Sequence, residues 1–117
     1  MTTEPAIGEI MLERAVQALR GMAYEHRLHI LVVLRAGEAT PSTLGAVVPA
    51  HATAIAHHLR HLVDAGLVRR RRRGRQVFYA VPDEATGRLI DEVLRYAGRP
   101  GPTSRAAPGP PAGDERD

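Results

Sequence analysis

A mainly α-helical domain carrying one small β-hairpin is what the sequence predicts, and three observations predict it. The 117 residues are 44% apolar, which suffices for one domain with a modest core and not for two. Three Tyr, one Phe and no Trp leave that core to Leu, Val, Ile and Ala, the side chains of packed helices. Apolar residues recur at helical spacing along most of the chain, and one short stretch alternates β-formers around an Arg-Gly turn.

Ile7, Met11, Ala15 and Leu19, joined by Leu12 and Val16, mark a first amphipathic helix that Gly21 is expected to end. A second, over Glu25 to Arg35, carries Leu28, Ile30, Leu31, Val33 and Leu34 on a wide face, with Gly37 expected as a left-handed cap. Thr40 before Pro41 suits an N-cap followed by proline at the first helical position. Leu44, Val47 and Val48 give that third helix a short face, and Pro49 closes it after about two turns. His51 to Ala65 follows, with Ile55, Leu59 and Leu62 on its buried side and Gly66 as its stop. Leu67 to Arg72 and Gln76 to Val81 read as strands around a turn at Arg73-Gly74. Pro82 and Asp83 lead into a last helix, Glu84 to Ala97, with Leu89, Ile90, Val93, Leu94 and Ala97 on one stripe. Residues 1–8 are expected to be a flexible N-terminus. Residues 98–117, with five Pro and four Gly, are too poor in apolar side chains to offset their ordering entropy and are expected to form a disordered tail.

Every basic residue is arginine, and the net charge of +3 conceals its distribution. Residues 57–80 hold seven Arg against one acid, whereas the rest of the chain is neutral or acidic. A charge focused in this way points to a polyanion. The absence of cysteine excludes disulfides, thiolate metal sites and a thiol nucleophile. The first residues lack the pattern of a secretion signal, and no run approaches a membrane span, so a cytoplasmic protein without membrane contact is expected.

A two-turn helix and a longer one around the tight Pro49-Ala50 connection form a helix-turn-helix, and the following hairpin makes it winged. The longer helix would enter the major groove of double-stranded DNA, with His51, Thr53, Ala54, His57, His58, Arg60 and His61 as its contacting side. Thr40, Ser42 and Thr43 at the start of the third helix join the candidate DNA contacts. Arg69, Arg70, Arg71, Arg72, Arg73 and Arg75 of the hairpin would lie along the phosphate backbone or in a minor groove. The apolar residues Ile7, Met11, Ala15, Leu89, Ile90, Val93 and Leu94 of the first and last helices are candidates for a homodimer interface, because a domain this small does not need both terminal helices inside. A twofold dimer would space two recognition helices about 34 Å apart, one turn of DNA. The competing reading is a small basic interaction module that binds an acidic protein, or any nucleic acid, without sequence preference.

The stretch from Leu19 to Val81 resembles the ArsR/SmtB regulators, most specifically in YEHRLHIL, IAHHLRHLVDAGLV and RRRGRQVFYAV. The resemblance covers about residues 9–97. It implies a DNA-binding and dimerisation domain, a homodimer on an imperfect palindrome joined through the first and last helices, and often a response to a metal ion. Within it, a nickel-responsive actinobacterial regulator that acts with a metal-binding partner protein is the expected type. The chain departs from the family where Ala52, Ala54 and Ala56 surround Thr53. Of the family's metal pattern in the last helix, the matching positions are Asp83, Ala85, Tyr96 and Arg99, and only the Asp survives. Nickel or zinc would therefore act through a separate metal-binding partner protein or through a non-standard site of histidines, which suit borderline-soft ions. His57 and His61 at i, i+4 and His26 and His29 at i, i+3 have ligand spacing, although a DNA-facing or core role competes for the first pair and a capping or surface role for the second. No metal ligand set is assigned. Neither Ser42 nor Ser104 sits in a nucleophile motif, no phosphate-binding glycine loop exists, and HHLRH lacks the glutamate of a metalloprotease. No enzyme is expected.

Overall fold

The computed structural model describes residues 8–99. It contains α1 (Glu9–Met22), α2 (Glu25–Ala36), α3 (Pro41–Val47), α4 (Ala52–Asp64), β1 (Arg69–Arg73), β2 (Gln76–Ala80) and α5 (Glu84–Gly98). Ile7 and nearly all of both predicted flexible termini lie outside the described residues. No helix among the described residues is long and apolar enough to cross a membrane.

Local chemistry explains the boundaries that hold. Thr40 accepts a hydrogen bond from the Thr43 amide at 3.1 Å, with Pro41 at the first helical position. Gly66, at φ 77°, ends α4 in a Schellman motif, in which the Gly66 amide donates to Val63 and the Leu67 amide to Leu62. Leu67 then folds back into the core beside α4. Gly74, at φ 63°, opens the two-residue hairpin loop Gly74-Arg75, one residue later than expected.

Two glycines differ from expectation. Gly21 does not stop α1, which runs on to Met22; a Cβ there would lie 2.8 Å from Leu67 Cδ1 and 3.0 Å from the Ala65 Cβ. Its role is to let α1 approach the end of α4. Gly37 follows α2 in extended rather than left-handed backbone, φ 164°.

The core gathers Ile30, Leu31 and Leu34 of α2, Leu44 of α3, Ile55, Leu59 and Leu62 of α4, and Ile90 of α5. Ala39 pairs with Tyr79, its amide donating to the Tyr79 carbonyl at 3.0 Å and its carbonyl accepting from the Tyr79 amide at 2.8 Å. This bridge fastens the hairpin to the segment between α2 and α3. Ile90 is fully buried and Val93 is partly buried against the core. Ile90 is therefore a core residue and not part of an outward dimer face, because the α5 stripe turns its centre toward α2.

Candidate nucleic-acid interface

Burial of Ile55, Leu59 and Leu62 fixes the rotation of α4 and leaves His51, Thr53, His57, Arg60 and His61 exposed, with Ala54 half-buried. His51 occupies the N-cap position, and its imidazole makes no capping bond. His57 and His61 approach each other, Nε2 to Nε2, at 3.1 Å. Thr40 and Thr43 are joined by a hydroxyl contact of 3.0 Å at the start of α3, beside exposed Ser42.

His58 is placed differently from its neighbours. Three residues after Ile55 and four before Leu62, it borders the buried face, and Arg27 Nε of α2 donates to its Nδ1 at 3.4 Å. The His26 ring stands edge-on to it at 6.0 Å. Desolvation, then the Arg27 charge and the neighbouring histidines, hold its pKa below the ordinary 6.5. His58 therefore packs α4 against α2 and is removed from the set of groove-facing residues.

The hairpin register pairs Arg70 with Tyr79, Arg71 with Phe78 and Arg72 with Val77. Strand alternation then puts Arg70 and Arg72 on one face and Arg69, Arg71 and Arg73 on the other. Arg70 shares a depression with Ala56, Arg60 and Asp64, so the wing and the exposed side of α4 form one surface. Arg73 is held at home: its guanidinium pairs with Glu38 at 2.5 Å and lies 4.0 Å from the Phe78 ring centre. It positions the wing tip instead of standing free for phosphate. Among the described residues Arg69, Arg70, Arg71, Arg72 and Arg75 make no ion pair. Glu38 and Arg27 escaped the reading of the sequence, since each acts on a residue more than 30 positions away.

Residues 16–95 match the family described as the N-terminal domain of the methanogenesis regulatory protein FilR1. The HTH-type transcriptional regulator NmtR of Mycobacterium tuberculosis is 31% identical over 84 residues, 72% of this chain and 70% of that protein. A homodimeric winged helix-turn-helix DNA-binding domain from Mycobacterium bovis, described as a possible ArsR-family transcriptional regulator, superposes with a TM-score of 0.73 at 26% identity, covering 83% of this chain and 90% of that one. The chain belongs to the FilR1 N-terminal-domain family and is a winged helix-turn-helix regulator of ArsR/SmtB type. HlyU from Vibrio cholerae is similar to this ArsR-type chain over 79% of its length and all of its own, with a TM-score of 0.72 and 29% identity. These relatives are transcriptional regulators rather than enzymes.

In this ArsR-type chain Asp83, the one residue that keeps the family's metal pattern in the last helix, is the N-cap of α5. Its carboxylate accepts from the Thr86 amide at 2.9 Å and the Thr86 hydroxyl at 2.7 Å, which hold its pKa below the ordinary range. Arg99 lies 4.2 Å from the Tyr96 ring centre. Among the described residues no group of three or more His, Asp or Glu is placed to hold a metal ion.

Proposed function

We propose that this regulator works as a homodimer on an imperfect DNA palindrome, α4 reading base edges in the major groove while the wing arginines neutralise flanking phosphates. Its occupancy of DNA responds to nickel or zinc, through histidines of this chain or through a separate metal-binding partner protein. The observation that carries the DNA reading is the continuous surface of Thr53, His57 and Arg60 on α4 with Arg70 on the wing. A helix with a polar, solvent-facing side beside a cationic hairpin matches the width and charge of the duplex groove. Dimerisation is supported by the exposed Met11, Leu12 and Leu19 of α1 and Leu89 and Leu94 of α5, and by the homodimeric state of the Mycobacterium bovis relative.

The deciding experiment titrates the protein against DNA from its own promoter neighbourhood and against scrambled DNA, at two salt concentrations, with and without nickel or zinc. Tight, sequence-selective binding with a steep salt slope is expected. Equal, weak binding to both DNAs would replace the regulator with the basic interaction module.

A further inference from the structure

We propose that His57 and His61 form a two-imidazole chelate for a divalent transition-metal ion such as zinc or nickel, and that the bound ion exchanges sequence discrimination for charge on the exposed face of α4. The second half rests on the reading of α4 as the DNA-reading helix. The first does not.

The geometry is that of a chelate. Two nitrogens each about 2.0–2.1 Å from zinc lie about 2.9 Å apart at a right-angled bite and about 3.4 Å apart at a tetrahedral one; the observed Nε2–Nε2 distance of 3.1 Å falls between them. The rings stand edge-on, 4.5 Å between centres and 77° between planes, with both Nε2 atoms on the side where the rings meet, close enough for one ion to reach both. Both side chains are exposed, and water can complete the coordination shell. The scaffold is rigid, since the intervening Leu59 and the adjacent Leu62 are fixed in the core. A plain hydrogen bond would need one ring to carry its proton on Nε2 and the other on Nδ1. An ion takes the Nε2 lone pair of both.

The surroundings set the strength. Arg20 and Arg27 share a hollow with His61 and disfavour a cation, while Asp64, which lines the same hollow, favours one. A chelate of two neutral imidazoles with water completing the shell is accordingly weaker than a site that supplies three or four protein ligands.

For DNA, the ion occupies both ring nitrogens that His57 and His61 offer to base edges, and it adds two positive charges where phosphates approach. Affinity for any sequence is then kept or raised, and preference for the operator falls.

The test uses the full chain without an affinity tag. Zinc or nickel is titrated by calorimetry, and the imidazole resonances are followed by NMR. One ion per chain is expected, shifting His57 and His61 first, with affinity lowered at least about tenfold in His57→Gln and in His61→Gln because the chelate is halved. A His26→Gln/His29→Gln control on α2 should bind as the parent does. No binding at millimolar ion, or binding that survives both α4 substitutions, overturns the chelate. In the second arm, loading the parent should lower the ratio of operator to scrambled-DNA affinity at least about tenfold, the size of losing one base contact, and should leave the ratio of either variant unmoved. Metal binding with an unchanged ratio overturns the exchange of specificity for charge. A metal-free protein that never distinguishes the two DNAs overturns the reading of α4 while the calorimetric result stands.

Discussion

α1 and α5 are the two outer helices, each with an apolar stripe, yet the chain treats them differently. α5 is fastened internally at three points. Asp83 caps its start, Ile90 is buried, and Arg35 of α2 reaches over Gly87 to Asp91, Nε to Oδ1 at 3.1 Å and Nη2 to Oδ2 at 2.8 Å, and to Glu84. α1 has no side-chain cap and is buried only at Gly21 and Met22. Ile10 and Met11 are each 64% exposed and Leu19 59%. An amphipathic stripe thus shows which side of a helix seeks cover without showing whether the cover comes from the same chain.

The sharpest way to break the comparison is to charge the α1 face. Leu12→Asp with Leu19→Asp should convert a dimer to a folded monomer, seen by light scattering with unchanged circular dichroism, since both side chains are exposed. Loss of two-site binding should weaken operator affinity about 10²–10⁴-fold. A dimer that persists would move the interface away from α1.

In that monomeric background, Ile90→Ala should cost about 2–5 kcal/mol by urea denaturation, the loss expected for a fully buried aliphatic side chain. Leu94→Ala, one turn later on the exposed side, should stay within about 0.5 kcal/mol. Similar costs at both positions would mean that α5 is not pinned by one face.

A smaller contrast tests where α1 is attached. Gly21→Ala should destabilise by about 1–2 kcal/mol, because crowding against Leu67 and Ala65 exceeds the gain in helix propensity. Gly45→Ala in α3, with nothing within 4 Å of the added carbon, should stabilise by up to about 1 kcal/mol. Equal signs in urea midpoints would remove the close approach as the reason for Gly21.

Gly21 also shows what a sequence can and cannot reveal. The Thr40-Pro41 cap, the Gly66 stop and the Ile55-Leu59-Leu62 stripe are local arrangements, so spacing alone located α3, α4 and the hairpin. Gly21 resembles any stop glycine until Leu67 is brought beside it. His58 carries the same side chain as His57, and although its spacing from Ile55 and Leu62 sets it at the edge of the buried face, its partner Arg27 comes from a packed neighbour that no spacing announces. Arg73 is indistinguishable from four preceding arginines, and its pairing with Glu38 depends on a bridge between Ala39 and Tyr79 that no local pattern announces. Apart from the Gly37 cap and the one-residue shift of the hairpin turn, local chemistry was legible; partners that the tertiary fold supplies were not.

Acid provides the mildest test, acting on α5 and sparing α1. Asp83, through hydrogen bonds from the Thr86 backbone and then its hydroxyl, and Asp91, through the hydrogen bond from Arg35, have pKa values held below the ordinary 3.8. A carboxyl depressed in the folded state contributes stability that is fully present above its unfolded value and is lost as pH falls through its folded one. Cap and latch should therefore weaken below about pH 4, and amide protection should decline in α5 before it does in α1, which has no side-chain cap to lose. Asp83 is exposed and Asp91 half-exposed, so added salt should shrink the effect of the ion pair. His58 contributes a separate loss that begins as pH falls below 6.5, because its folded pKa is lowered and the unfolded chain takes up the proton first. A His58→Gln background removes that contribution. In it, Asp83→Ala with Asp91→Asn should flatten the stability profile between about pH 2 and 4, the window of carboxylate titration. An unchanged slope would mean that α5 is held by Ile90 alone, and that its polar fastenings orient the helix without stabilising it.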